Sequence, residues 1–184
     1  MRHETIRSLV LCGLFAALCC VGGWITLPLP QLSITLQTLF TTLSGLALGG
    51  KRGAASVAAY VALGLAGLPV FSGGGGGVAY VMRPSFGYLL GMILGAYVAG
   101  SLYSRWRLRP WGPAAASGLG FLAVYLPGLP YFWLMSRAVG IPMTAEAALM
   151  TGCLLTLPGD IVKWALCLVA ERGLRRILEN ERTA

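Results

Sequence analysis

The sequence predicts an all-α integral membrane protein of six spans, and three observations carry that expectation. The composition is 57% hydrophobic and 11% charged, with a mean hydropathy of +0.75, whereas soluble domains carry roughly 25% charged residues. Residues 8–28, SLVLCGLFAALCCVGGWITLP, hold no charge, and runs of about twenty apolar residues match the hydrocarbon thickness of a bilayer. The net charge is +8, but the basic residues fall in short clusters between the apolar runs. That is the pattern of topology signals and not of a nucleic-acid-binding surface.

The spans are expected at about 6–27, 35–50, 53–70, 85–104, 113–138 and 145–178, within one domain over residues 1–184. The first is too long for a signal-peptide core and no small-x-small cleavage site follows it, so it is read as a span. The second and third are short and separated by the polar turn GGKRG. Before the fourth comes the longest outward connection, LPVFSGGGGGVAYVMRPSFGY (68–88). The last run is too long for one upright crossing. It is expected to divide into 145–156 and a main helix opened by Pro158, since proline suits a first helical turn and disrupts an interior.

Charge sets the orientation. Arg2 and Arg7 precede the first span, and Lys51 and Arg52 join the second to the third. Arg105, Arg107 and Arg109 join the fourth to the fifth, and Arg172, Arg175, Arg176 and Arg182 follow the sixth. Eleven of the fourteen basic residues thus share one side, with Arg83 and Arg137 on the other. The positive-inside rule then places both termini in the cytoplasm.

The remaining basic residue is the exception. In LTLPGDIVKWALCLVAERGLRR (155–176), Asp160 and Lys163 interrupt a span. A charge at bilayer depth costs roughly 2.5–3.5 kcal/mol on insertion scales. Lys163 precedes Arg172 by nine residues, which puts it roughly 13 Å from the inner boundary and Asp160 at about 18 Å, near the midplane. Their i, i+3 spacing puts both on one helix face. They either bind a solute or form a structural ion pair. A buried pair rarely adds net stability over an apolar alternative, and this favours the solute.

Other chemistries are excluded or left open. Cys12, Cys19, Cys20, Cys153 and Cys167 are odd in number, contain no C-x-x-C and lie in apolar stretches, so they read as packing residues and not as disulfides or metal ligands. The single histidine, His3, is N-terminal, which excludes Ser-His and Cys-His catalysis in the membrane. GLALGGKR (45–52) carries Arg52 where a phosphate loop needs Ser or Thr and follows no strand, so the chain is expected to carry no ATPase of its own. Small residues four apart, as in Gly13/Ala17, Ala16/Cys20, Gly45/Gly49 and Gly91/Gly95, permit close helix packing. The first-span pairs serve either that packing or another subunit. In TLQTLFTTLSG (35–45), Gln37, Thr38, Thr41 and Thr42 need partners in lipid, either neighbouring helices or a polar cavity facing Asp160.

The outward loop is a candidate lid. Gly73 to Gly77 let the backbone approach a ligand closely, and Val70, Phe71, Tyr80, Phe86 and Tyr88 frame it with surface that can pack down. Arg83 supplies a fixed positive charge for an anionic group, or for lipid phosphate.

Three segments carry a resemblance over residues 5–178 or so: ITLQTLFTTLSGLALGGKRGAASVAAYVALGLAGLPVFSGG, RPSFGYLLGMILGAYVAG and LPGDIVKW. With them the chain resembles the BioY family, the biotin-specific substrate-binding (S) components of energy-coupling factor transporters. The resemblance implies a six-helix protein of a bacterial or archaeal cytoplasmic membrane that captures biotin and catalyses no covalent chemistry. Its implied partners are a transmembrane coupling subunit and two ABC ATPases. No cofactor is implied, because ATP is used by the partner subunits alone. Asp160 and Lys163 match the family's ligand-binding Asp and Lys and can serve the ureido ring. Arg83 and the glycine loop, Gly75 at its centre, are candidates for the valerate carboxylate. Tyr80, Tyr88, Trp164 and Phe71 are candidate walls for the thiophane ring, and Gln37 is a further candidate contact. The small-residue pair by which S components dock on the coupling subunit has its nearest equivalents in Gly13/Ala17 and Ala16/Cys20.

Overall fold

The computed structural model describes the backbone of residues 2–27 and 33–183 and the side chains of 6–27 and 33–173. The terminal residues Arg2, His3, Arg175, Arg176 and Arg182 lie outside the described side chains. The order of elements is α1 (Arg2–Trp24), a two-residue antiparallel pairing of β1 (Thr26–Leu27) with β2 (Ile34–Thr35), α2 (Gln37–Leu48) and α3 (Gly50–Leu65). After a long connection come α4 (Phe86–Trp106), α5 (Gly112–Ala138), α6 (Ala145–Leu149) and α7 (Leu157–Thr183). In the hairpin Thr26 faces Thr35 and Leu27 faces Ile34.

Among the described residues four segments are long and apolar enough to cross a membrane: Ile6–Trp24, Phe86–Trp106, Gly112–Ala138 and Ala145–Gly173. They match the first, fourth, fifth and sixth expected spans, and the chain is a multi-pass membrane protein. The other two differ. α2 has 12 residues and α3 has 16, lengths of about 18 and 24 Å at 1.5 Å per residue, against a hydrocarbon core about 30 Å thick. Each alone is shorter than that thickness. α2 packs inward, with nine of its residues buried.

The turn between them is also smaller than GGKRG suggested. Gly49 alone makes it, at φ 82°, a left-handed conformation that favours glycine. Its carbonyl accepts the Gly53 N–H at 2.8 Å, so Lys51 and Arg52 already belong to the first turn of α3.

Close backbone contact organises the bundle. A Cβ on Gly91 of α4 would stand 2.1 Å from the Val124 carbonyl of α5, and one on Gly45 of α2 would stand 2.3 Å from the Ala96 carbonyl of α4. α5 continues through Pro127 and Pro130, each of which removes one helical hydrogen bond. One apolar cluster gathers Tyr60, Phe71, Tyr88 and Phe132; a second gathers Phe15, Leu39, Leu43, Phe121 and Cys167.

The last expected span divides as anticipated, with a further twist. α6 passes into a π-helical turn, Met150–Leu154, and Pro158 is the second residue of α7. The first-span pairs separate. Ala16 is buried in the core, and the Cys20 thiol donates to its carbonyl at 3.2 Å. Gly13 and Ala17 stay on the outer face of α1.

Candidate functional site

The charged pair lines a cavity of about 320 Å³. Its walls come from the β1–β2 hairpin and the start of α2, the connection before α4, and the facing sides of α4, α5 and α7. Of the residues singled out in the sequence, Asp160, Lys163, Arg83, Tyr88 and Gln37 line it, as do Tyr80 and Thr38.

Lys163 and Asp160 form the predicted i, i+3 ion pair, with side chains 6% and 13% exposed. Desolvating two charges is costly unless each finds further partners, and here each does. Lys163 Nζ also donates to the Thr35 carbonyl at 3.2 Å, while Asp160 Oδ2 accepts the Tyr125 hydroxyl. Thr156 Oγ1 lies 2.9 Å from the Tyr125 oxygen. The lysine therefore spends one donor on Asp160 Oδ1 and one on Thr35, and an ammonium has three. One proton remains for a ligand acceptor, and the carboxylate keeps lone pairs for a ligand donor.

A second polar chain braces the wall formed by β2, α2 and α3. The Thr35 hydroxyl donates to Gln37 Oε1 at 3.1 Å, Gln37 Nε2 donates to the Tyr60 hydroxyl, and that hydroxyl donates to the Val70 carbonyl at 3.2 Å. Gln37 thus locks β2, α2, α3 and the following connection together while lining the cavity. Both roles considered for it are present in the one side chain.

Tyr88 is likewise a wall and a brace. Its hydroxyl donates to the Gly152 carbonyl at 2.7 Å, in the π turn that leads into α7. π turns free backbone carbonyls from the regular helical ladder and recur at functional sites. Arg83 is exposed at the rim, with its guanidinium 4.9 Å from the centre of the Tyr80 ring.

Three residues stand apart from the lining. Trp164 turns its indole N–H to the Ala114 carbonyl and Ser117 Oγ, at 3.2 and 3.0 Å, on the α5 side away from the cavity. Phe71 is wholly buried between Tyr60 and Tyr80. Gly75 acts through the space it leaves, since a Cβ there would stand 2.4 Å from the Tyr80 ring. Phe71 and Gly75 thereby seat Tyr80, which does line the cavity.

Sequence reasoning missed Tyr125, Thr156 and the hairpin residues Ser33 to Thr35. A signal for Tyr125 existed, because a phenolic hydroxyl within a span must find a partner. The β hairpin gave none, being only two residue pairs long.

The model of the BioY family matches residues 1–180. Over 139 residues the chain is 39% identical to a probable biotin transporter BioY of Lysinibacillus sphaericus, covering 73% of this chain and 68% of that one. Over 165 residues it is 38% identical to a biotin transporter BioY of Rhodobacter capsulatus, covering 85% and 87%. In three dimensions it resembles the crystal structure of the S-component for biotin from an ECF-type ABC transporter, with a TM-score of 0.84 and 28% identity over 96% of this chain and 94% of that one. On the family match, the similarity to these relatives and the shared architecture, this chain belongs to the BioY family.

Proposed function

We propose that the chain captures biotin from outside a bacterial or archaeal cytoplasmic membrane and delivers it inward as the S component of an energy-coupling factor transporter. The observation that carries this reading is the buried Asp160–Lys163 pair opening onto a cavity of about 320 Å³, within the roughly 300–1,000 Å³ range of small-molecule sites. A purely structural ion pair needs no such space beside it.

The chemistry of the walls supports the ligand. A ureido group offers two N–H donors around one carbonyl acceptor. Asp160 accepts a donor and the free Lys163 proton meets the carbonyl. Tyr88, Leu89, Met92 and Val124 provide apolar surface for the thiophane ring and valerate chain. The Asp160 and Lys163 charges cancel, so Arg83 leaves the cavity one net positive charge, complementary to one carboxylate.

The protein carries out transport, not covalent chemistry, and biotin is its cargo. A coupling subunit and two ABC ATPases supply the energy, with no cofactor on this chain. Six crossings with both termini cytoplasmic fit the charge distribution, α2 and α3 crossing as a short, inward-packed pair. Of the first-span residues, Gly13 and Ala17 are the ones on the outer face. They can admit a partner helix closely, and Ala16 and Cys20 support that face from within.

Uptake of labelled biotin tests the transport reading. In cells without a biotin transporter of their own, the chain with its coupling subunit and ATPases should accumulate label, and unlabelled biotin should compete. Absence of accumulation by a chain present in the membrane would count against it.

A further inference from the structure

Buried polar atoms without partners are rare, and each calls for a physical reason. Among the described residues three such side-chain atoms occur: Ser72 Oγ, Trp133 Nε1 and Ser136 Oγ. Trp133 and Ser136 lie near the end of α5 and are not in the cavity lining. Ser72 lines the space beside Asp160, and its hydroxyl is shielded and unpaired.

Ser72 is also fixed relative to the charged pair. The polar chain from Lys163 runs through the Thr35 carbonyl, Gln37 and Tyr60 to the Val70 carbonyl, two residues before Ser72. Beyond Val70, Phe71 is anchored by its buried ring, and its N–H donates to the Gly75 carbonyl at 2.9 Å. The hydroxyl therefore sits on a braced segment and not on a free loop tip.

Three acceptors of the polar chain are already engaged. Gln37 Oε1 takes the Thr35 hydroxyl, the Thr35 carbonyl takes Lys163, and the Val70 carbonyl takes Tyr60. In a cyclic urea the two N–H bonds diverge on either side of the carbonyl, so a single carboxylate oxygen cannot receive both. We propose that Ser72 is a ligand-specificity residue whose hydroxyl accepts the ureido N–H that Asp160 does not. This rests on the biotin reading above. A ureido N–H would complete the hydrogen bonding of this hydroxyl.

The consequence separates this role from a structural one. Removing an unpaired buried hydroxyl should leave the empty protein as stable as before, or more so, while weakening the ligand. The experiment is biotin calorimetry and thermal unfolding of the detergent-purified protein as wild type, Ser72→Ala and Ser136→Ala. Ser72→Ala should weaken biotin about tenfold, ~1.4 kcal/mol, with an unfolding midpoint no lower than wild type. Ser136→Ala, which removes an unpaired hydroxyl outside the cavity, should bind as wild type. Ser72→Cys keeps the side-chain size with a much weaker acceptor and should lose affinity as well, should the alanine variant not fold. Wild-type affinity in the Ser72 variants overturns the inference alone, as does a lowered midpoint in the empty Ser72→Ala protein. Absence of biotin binding by the folded wild type overturns the underlying reading and this inference with it.

Discussion

Tyr125 on α5 directs its hydroxyl to Asp160 Oδ2 on α7, opposite the oxygen that meets Lys163. The carboxylate is thus held from two sides before any ligand arrives, by a neighbour on its own helix and by one from the adjoining span. Preorganisation of this kind lets a ligand bind without first ordering the groups that receive it.

Tyr125→Phe should therefore weaken biotin at least tenfold, since a hydrogen bond to a charged group contributes roughly 1.5–3 kcal/mol. Because Tyr125 acts through Asp160, the losses should not add. Tyr125→Phe combined with Asp160→Asn should bind no worse than Asp160→Asn alone. Additive losses in calorimetry would mean that Tyr125 contributes independently of the carboxylate.

Lys163→Met leaves Asp160 buried without its cation. Breaking one side of a buried pair costs about 3–5 kcal/mol, far more than replacing both sides. Thermal unfolding in detergent should show a large drop for the single variant. Adding Asp160→Asn should restore most of it, though not ligand binding. Equal stability of the single and double variants would contradict the pairing.

Arg83→Gln should lower affinity for biotin several-fold and leave affinity for biotin amide unchanged, because only biotin presents a carboxylate. An equal loss for both ligands would remove Arg83 from carboxylate recognition.

Gly91→Ala should destabilise the fold severely, since the added carbon meets the Val124 carbonyl and neither backbone can move without parting α4 from α5. Gly13→Ala should be neutral for folding, as nothing lies within 4 Å of that position. Loss of stability in the second variant would show that the outer face of α1 is already occupied within the chain.

The long spans were legible because their signal is continuous. Runs near 85–104 and 113–138 correspond to α4 and α5 almost to the residue. Asp160 and Lys163 stood out because two charges in an apolar run have few physical explanations, and three residues of helix fix their common face. The division of the last span followed from its length and from Pro158. Other features lacked a local signal. α2 and α3 read as spans by hydropathy, yet their lengths and the single-residue turn at Gly49 are set by packing against α4. Trp164 follows Lys163 by one position, which turns it about 100° around the helix and away from the cavity. Tyr125 did carry the signal of a phenol that needs a partner, but which residue of another span it faces is not written locally.

The most direct measurement is calorimetric titration of biotin into the detergent-purified protein and into Asp160→Asn. Tight one-to-one binding is expected for the wild type, weakened at least tenfold in the variant, a change of about 1.4 kcal/mol, with the variant still folded. A folded wild type that gives no heat and no competition with biotin, or a variant that binds as the wild type does, would contradict the assignment of this cavity to biotin.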